Sequence, residues 1–387
     1  MKSKVTIGIA AMICFATLPC FGLDMSEVKP GKGEVLDMDH FILIVDASGS
    51  MNMDHKFDLE KEMAQAFAQA MPSGDYQSGM DSFGRSRSNW TRHPLSPFNR
   101  QAMASTANKL HYLGGRTPLE AVLDEERPEY AGKSERAALL VFSDGMAKNR
   151  GTLNACERLA EAYNGELCIY TVQFGKSKRG SNLLEKMSRV TGCGASWSAK
   201  DINSIGGMTQ LVRTIFFSPD RDGDGVPDRK DQCPGTPAGV EVDARGCPLD
   251  TDGDGVYDYL DKCPGTPMGA KVDADGCWDI ANVNFDTNSA VVKDQYKMLL
   301  DEVATVLKKN PGIALKVQGH TDSDASDGYN MALSMRRAQA VKKALVDRGV
   351  QGKALKLGHF GESKPIRSND TSTNKFENRR VELSVIR

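Results

Sequence analysis

Short continuous runs of hydrophobic residues mark the first half of the chain. They lie at residues 41–45, 138–142 and 167–174. Uninterrupted runs of this length are typical of strands that are buried on both faces of a sheet. Stretches of helical character accompany them, at residues 56–69, 100–113 and 152–163. Alternating strands and helices predict a doubly wound α/β domain over residues 36–217, in which ligands gather at the carboxyl ends of the strands.

The C-terminal part of the chain alternates the two patterns on a smaller scale. Strands are predicted at residues 280–285, 313–317, 355–360 and 381–385. Helices are predicted between them, at residues 289–309 and 329–347. This order predicts a small α+β domain of βαβαββ layout over residues 279–387.

The second of these helices has an arginine on its apolar side. At about 100° per residue, Arg337 lies on the stripe that carries Leu333 and Val341, while Arg336 faces away. A buried guanidinium is costly unless a carboxylate or a ligand anion meets it. Asp322, at the end of the preceding strand, is the acidic candidate. The positions of these two residues predict either a structural salt bridge or a site for a zwitterionic ligand.

Between the two domains, residues 218–278 form an acidic, glycine-rich segment of two copies with few apolar side chains. The second copy follows the first by thirty residues and repeats its aspartates: Asp220, Asp222, Asp224, Asp228 and Asp231, then Asp250, Asp252, Asp254, Asp258 and Asp261. It also repeats its cysteines, first Cys233 and Cys247, then Cys263 and Cys277. Because so many carboxylates repel one another, a hard cation with oxygen ligands or disulfides could hold the segment in one shape.

Length, charge and the N-terminus set the broad class. With 387 residues the chain is expected to form two to three domains, and a formal net charge of −2 gives no support for nucleic-acid binding. Lys2 and Lys4 precede an apolar run at residues 5–18, shorter than the roughly 20 residues of a membrane span. This pattern predicts a signal peptide over residues 1–22, cleaved after Gly22, with no transmembrane span afterwards. Acylation of Cys20 is the alternative, which Pro19 disfavours.

Of the nine cysteines, seven remain after this cleavage. Four belong to the acidic copies, so Cys156, Cys168 and Cys193 are left, and at least one of the seven is free or pairs outside the chain. Cys168 lies in an apolar strand-like run and is interpreted as a buried small hydrophobic residue. A bond between Cys156 and Cys193 stays open, because sequence does not show the geometry.

Polar residues follow the predicted strands of the first domain. Asp46, Ser48 and Ser50 come after the first strand, Asp144 after the second, and Thr117 lies in a loop between them. Such a set of hard oxygens suits Mg²⁺ (or Mn²⁺) but has too little charge to satisfy the ion fully. An acidic side chain of a partner protein is the expected occupant of the open position. Catalysis is not expected, because no histidine motif accompanies the serines and no Gly-x-Ser-x-Gly elbow is present.

Three motifs in order, DASGS from Asp46, GGRTP from Gly114 and FSDG from Phe142, resemble the von Willebrand factor A domain. The resemblance implies a metal-ion-dependent adhesion site with the ligands Asp46, Ser48, Ser50, Thr117 and Asp144. Residues 85–100, with Trp90 and His93, are expected to form an irregular loop near this site.

The acidic copies, each with the sequence CPGTP, resemble thrombospondin type 3 repeats. That resemblance implies Ca²⁺ on the ten aspartates. It also implies one disulfide in each copy, Cys233–Cys247 and Cys263–Cys277.

The C-terminal domain resembles the OmpA-like family. The matching sequences are FDTNS from Phe285, GHTD from Gly319, YNMALSMRRA from Tyr329 and NRRV from Asn378. The resemblance implies binding to the diaminopimelate of peptidoglycan, with Asp322 at its amine end, Arg337 on a carboxylate, and Thr321, Asn330 and Arg379 in support. Ala325 departs from the family, many of whose members have glycine there.

These patterns together favour one hypothesis: a non-enzymatic Gram-negative envelope protein, located in the periplasm at the outer membrane or the sacculus. It would bind peptidoglycan through its last domain and present the first domain to a protein partner on a calcium-stiffened spacer. The alternatives are a surface-exposed adhesin and an accessory scaffold for a separate envelope enzyme.

Overall fold

The chain forms two compact units in a computed structural model that describes residues 23–85, 87–130, 135–163 and 166–386. The predicted signal peptide, with Cys20, lies outside these residues. The first unit extends to Gly235 and the second begins at Thr236, so the boundary falls inside the first acidic copy. Among the described helices, none combines the length and the apolarity needed to cross a bilayer.

The first unit alternates strands and helices. In chain order its elements are β1 (Glu34–Leu36), β2 (His40–Asp46), α1 (Lys56–Ala70), β3 (Gln77–Phe83), β4 (Arg92–Pro97), α2 (Arg100–Lys109), α3 (Leu119–Tyr130), β5 (Arg136–Ser143), α4 (Asn149–Ala162), β6 (Glu166–Gln173), α5 (Lys178–Val190), β7 (Ser196–Ser198), α6 (Ala199–Ile202), α7 (Ile205–Phe216) and β8 (Phe217–Pro219).

Six of these strands form one sheet in the order β4-β3-β2-β5-β6-β7. All neighbours are parallel except β4, which pairs antiparallel with β3 at the edge. Side chains of β2 alternate between two apolar cores: Phe41 and Leu43 pack with α1, α2 and α7, while Ile42 and Ile44 pack with α3, α4 and α5. The sheet is therefore doubly wound, with β2 and β5 buried on both faces.

The prediction of an irregular loop at residues 85–100 is wrong in part. Residues 92–97 form β4, and Trp90 is buried against the second core. The strand was missed because Pro94, Pro97 and two charged or titratable side chains interrupt any hydrophobic alternation. Proline is tolerated here because β4 is an edge strand.

Cys168 is buried in its strand, as predicted, but it is not only a small hydrophobic residue. Cys168 forms a disulfide with Cys193, with the two Cα atoms 5.2 Å apart. Cys156 is buried and free. A strand and the loop after α5 thus meet at a distance that the sequence does not reveal.

The second unit holds the rest of the elements: β9 (Val283–Asn284), α8 (Lys297–Lys309), β10 (Leu315–Gly319), α9 (Asp327–Val346), β11 (Leu355–His359), α10 (Ser372–Asn378) and β12 (Arg380–Val385). Its sheet has the order β11-β10-β12-β9, with only β10 and β11 parallel. The predicted layout lacked α10, a two-turn helix with little apolar periodicity. The first predicted helix also starts later than expected, since residues 294–296 form a 3-10 turn.

The acidic copies consist largely of turns, and ion pairs connect parts of them to the units. In the first unit, Arg229 donates to Asp37 through Nε and Nη2, both at 2.7 Å. Burial alone would raise the pKa of Asp37, but bonds from Arg229, Ser218 and Arg136 lower it below its usual value. In the second unit, Lys271 pairs with Glu302 of α8 at 3.1 Å. Each copy therefore has at least one side-chain contact with a folded element near it.

Candidate metal and ligand sites

The predicted metal ligands of the first unit converge at one edge of its sheet. Asp46 ends β2, Asp144 follows β5, and these strands are neighbours at the point where the strand order reverses. Such a point opens a crevice beyond the carboxyl ends of the strands. The loop before α3 joins them, because the Gly49 amide donates to the Gly115 carbonyl at 2.9 Å. That contact leaves no room for a Cβ at Gly49, which would lie 2.7 Å from the same carbonyl oxygen.

Five oxygen-bearing side chains lie together there. The Oγ atom of Ser48 is 2.9 Å from Thr117 Oγ1 and 3.4 Å from Ser50 Oγ. Ser50 Oγ donates to Asp144 Oδ1 at 3.2 Å. Asp46 accepts from the Ser48 amide at 3.0 Å and from Ser143 Oγ at 2.6 Å. The structure thus brings all five predicted residues into one cluster.

The cluster carries more negative than positive charge. Burial raises the pKa of Asp46 to about 6, although bonds from Ser143 and Ser48 oppose the shift. Glu60 of α1 is fully buried beside it, and burial together with the charge of Asp46 raises the pKa of Glu60. One oxygen of Glu60 accepts from the Asp46 amide at 3.1 Å, and the other has no partner within the described residues. Lys56 supplies one positive charge, paired with Asp144.

These donors fit a hard divalent cation. All are oxygens, as Mg²⁺ and Mn²⁺ prefer, and among the described residues three buried carboxylates have one ammonium group, that of Lys56, beside them. Asp46, Ser48, Ser50, Thr117 and Asp144 are the residues that would hold the ion, which would lower the repulsion between the carboxylates. Sequence reasoning missed Glu60 and Lys56. The helical-stripe argument used for Arg337 would have found Glu60, which lies between Phe57, Ala64 and Phe67 on the buried side of α1.

Each acidic copy folds three of its aspartates into a cluster. These are Asp220, Asp222 and Asp224 in the first copy and Asp250, Asp252 and Asp254 in the second, with one oxygen from each residue within 4.8 Å of the others. Glycines make the tight turn: the φ angles of Gly253 and Gly255 are 73° and 92°, values that favour glycine. Their amides donate to Asp250 at 2.9 and 3.0 Å and so orient its carboxylate.

One carboxylate oxygen in each cluster is buried without a partner among the described residues. It is Oδ2 of Asp224 in the first copy and Oδ2 of Asp254 in the second, while Oδ1 of each accepts from a main-chain amide. Burial and the charges of Asp222 and Asp231 raise the pKa of Asp224. A buried anionic oxygen that lacks a donor is the place where a cation fits, so both clusters suit Ca²⁺.

The other four predicted calcium ligands lie outside these clusters. Asp228, Asp231, Asp258 and Asp261 each accept from a main-chain amide, of Arg221, Cys233, Thr251 and Cys263 in turn. Cys263 and Cys277 form a disulfide, with Cα atoms 5.0 Å apart. Cys233 and Cys247 are also disulfide-bonded.

Arg337 is fully buried in the second unit, as the apolar stripe of α9 predicted. Its guanidinium donates to the carbonyls of Ser289, His320 and Asp286, at 2.8, 2.9 and 3.1 Å. Burial lowers its pKa to about 10, so the group stays charged at neutral pH. Three of its five N–H donors are used in this way, which leaves two for an anion.

The expected partner of Arg337 bonds elsewhere. Asp322 Oδ2 accepts from Arg379 Nη1 at 2.7 Å, and both side chains are about nine-tenths buried. Thr321 Oγ1 is buried with no partner in the described part of the chain. Asn330 donates to Glu362 and, at 3.1 Å, to the Ala325 carbonyl. The hypothesis of a direct Asp322–Arg337 bridge is therefore wrong, because the two buried side chains bond to different partners.

Comparison with known proteins finds two family matches in the second half of the chain. The OmpA family pattern matches residues 284–379, and the thrombospondin type 3 pattern matches residues 218–239 and 243–272. The C-terminal domain is OmpA-like. Thrombospondin type 3 repeats precede it.

Relatives share this half of the chain. Outer membrane porin F of Pseudomonas aeruginosa is 41% identical over 167 residues, which cover 43% of this chain and 41% of that protein. The probable lipoprotein YiaD of Escherichia coli is 41% identical over 104 residues, or 27% of this chain and 48% of that protein. The chain thus spans less than half of either relative. The crystal structure of the peptidoglycan-associated lipoprotein from Burkholderia pseudomallei has 35% identity and a TM-score of 0.27, covering 27% of this chain and 89% of that one.

Proposed function

We propose that this chain is a non-enzymatic protein of the Gram-negative cell envelope that anchors to peptidoglycan through its OmpA-like domain. Relatives of that domain are named as outer membrane and peptidoglycan-associated proteins. In the proposed arrangement the first domain presents a metal-dependent protein-binding site on a spacer of calcium-binding repeats. The protein acts in the periplasm, at the outer membrane or the sacculus.

The buried cluster of Asp322, Arg337 and Arg379 carries the wall-binding proposal. Diaminopimelate has an ammonium and a carboxylate on one carbon, and the cluster offers one carboxylate and one cation with spare donors. Asp322 would accept from the ammonium, while Arg337 would bind the carboxylate. Thr321 Oγ1, which has no described partner, would gain one from the ligand. Arg379 holds Asp322 in place.

A sedimentation assay with purified sacculi tests this site. We expect Asp322→Asn to reduce the bound fraction strongly, because the amide loses the charge that meets the ammonium. Asp324→Asn is the matched control, since Asp324 is half exposed on the same loop and pairs with Lys375. Muropeptides that contain diaminopimelate should compete, and those with lysine in its place should compete less. Unchanged binding by a folded Asp322→Asn protein would remove the proposal.

The first domain is proposed to be a von Willebrand factor A domain, called the A-type domain below. The oxygen cluster at residues 46, 48, 50, 117 and 144 and the doubly wound sheet support this assignment. The bound Mg²⁺ would supply a positive charge to an acidic side chain of the partner. Each acidic copy is proposed to bind Ca²⁺ and to contain its own disulfide, Cys233–Cys247 in the first.

Thermal unfolding with and without Mg²⁺ tests the A-type site. We expect Mg²⁺ to raise the melting temperature of the first unit in the unmodified protein. Asp46→Asn should remove most of this effect, because it takes away one of the two aspartate charges of the cluster. An equal Mg²⁺ effect in both proteins would place the ion elsewhere.

A further inference from the structure

A groove of about 790 Å³ lies beside the oxygen cluster of the A-type domain. Its lining includes Ser50 and Thr117 of that cluster, the loop before α4 and the start of α5. Sites of about 300–1,000 Å³ take ligands of small-molecule size. The groove therefore admits a short peptide segment and not a folded domain.

Three cations in the groove lack ion-pair partners. Arg116, Lys148 and Arg179 line it, are exposed, and form no salt bridge among the described residues. Two of the three acidic residues of the groove, Asp124 and Glu125, are already closely paired. Arg158 bonds Asp124 at 2.7 Å and lies 4.0 Å from Glu120, and Arg87 and Arg92 both pair with Glu125. The groove thus keeps an excess of positive charge next to the metal site.

A buried hydroxyl in the first turn of α4 adds to this preference. The helix has 14 residues, and Lys148 at its start makes no side-chain cap. The carboxylate of Glu120 lies against Gly151 in the first turn, where a Cβ would be 2.0 Å from Glu120 Oε2, so this turn already faces one acidic group. Thr152 in this turn lines the groove and is 1% exposed, and its Oγ1 has no hydrogen-bond partner in the part of the chain described. A buried hydroxyl without a partner is costly, so a ligand oxygen that reached it would be stabilised.

We propose that the groove binds an acidic peptide segment of the partner protein. One carboxylate of the segment faces the Ser48–Ser50–Thr117 oxygens through the cation, and neighbouring carboxylates pair with Arg116, Lys148 and Arg179. This inference rests on the proposed function of the A-type domain and adds the chemical class of its partner. A nucleic-acid backbone fits less well, because Glu120 in the wall would repel closely spaced phosphates, whereas separate carboxylates can avoid it.

Fluorescence anisotropy with a labelled hexaglutamate peptide tests the groove, using the purified protein in Mg²⁺. The triple variant Arg116→Ser, Lys148→Ser, Arg179→Ser should bind it about tenfold or more weakly, because it lacks the complementary charges. The matched control removes three exposed lysines of the same domain outside the groove, Lys109→Ser, Lys186→Ser and Lys200→Ser, and should bind as the unmodified protein does. Thr152→Val should weaken binding by a smaller factor. Hexaglutamine of the same length should bind much less.

The results separate the groove from the metal site. Equal binding by the triple variant and the control, or no binding by the unmodified protein, would overturn the acidic-segment proposal. The Mg²⁺ effect on melting, measured on the same samples, would then still support the A-type site. Loss of that Mg²⁺ effect in the unmodified protein would instead remove the proposed function on which the inference rests.

Discussion

Lys56 forms an ion pair with Asp144, one of the two aspartates of the oxygen cluster. The Nζ and Oδ2 atoms are 2.5 Å apart, and the side chains are 15% and 1% exposed. An ammonium group thus lies on a carboxylate that would also hold the proposed Mg²⁺. Two positive charges at one carboxylate repel each other, so lysine and metal compete for Asp144.

Lys56→Met should therefore raise the affinity for Mg²⁺, by about tenfold if the competition is worth about 1.4 kcal/mol. Without Mg²⁺ the same variant should melt lower than the unmodified protein, because Asp46, Glu60 and Asp144 lose their only described cation. Titration calorimetry measures the first effect and thermal unfolding the second. Lys61→Met, in the same helix but bonded to the Leu110 carbonyl, is the control. A lower Mg²⁺ affinity in Lys56→Met would show that the lysine helps the site instead.

Removal of Ca²⁺ should loosen the acidic copies. With a chelator, the unpartnered carboxylate oxygens of Asp224 and Asp254 lie beside the other aspartates of their clusters, and the segment should gain protease cuts between residues 220 and 275. Asp254→Asn should lower Ca²⁺ affinity in the second copy, because a neutral amide attracts the ion less. Asp275→Asn is the control, since Asp275 is exposed and pairs with Lys262. Identical cleavage with and without chelator would count against metal in the repeats.

His320 should make the OmpA-like domain sensitive to acid. Burial and nearby Arg380 lower its pKa to about 4, and its unfolded pKa is about 6.5. The contribution of His320 to the free energy of unfolding is therefore constant above about pH 6.5. As the pH falls from there toward 4, the free energy of unfolding decreases by up to about 3 kcal/mol. His320→Phe keeps a ring to stack on Phe360 and should remove this part of the pH dependence.

Hydrogen exchange of the β10 and β12 amides across this pH range measures the effect on the second unit alone. Phe360→Leu is the control, because it weakens the packing on the ring without removing the titrating group. Its pH profile should run parallel to that of the unmodified protein. A His320→Phe profile that is also parallel would show that the histidine is not the source of the acid sensitivity.

The Cys168–Cys193 disulfide should stabilise the first domain. It closes a sequence separation of 25 residues, for which chain entropy predicts about 3 kcal/mol. Cys168→Ser with Cys193→Ser should lower the free energy of unfolding by about that amount, as measured with denaturant. Cys156→Ala leaves the disulfide intact and should lower the free energy of unfolding by less than the double variant does. Peptide-level alkylation should label Cys156 only after unfolding, and labelling of Cys193 in the native protein would contradict the bond.

Most of the elements near the sites followed from local patterns. Continuous apolar runs located β2, β5 and β6, and the helical stripe of α9 placed Arg337 inside and Arg336 outside. Strands with mixed polarity could not be predicted from such patterns. β3 includes a buried aspartate, Asp81, and β4 carries two prolines, so neither shows a strand-like alternation. Their strand conformation depends on the neighbour with which each pairs.

The sequence alone determined the chemistry available to this protein: two acidic copies, a set of hydroxyl and carboxylate groups after strands, and an arginine in an apolar stripe. Motif order and helical periodicity are local, so they can be found along the chain. Only the tertiary structure decided which of these groups contact one another. It placed Arg379 on Asp322, three carbonyls around Arg337, Lys56 on Asp144, and Cys168 beside Cys193. Each of these contacts joins residues from different elements, and their distance depends on packing that no local pattern encodes.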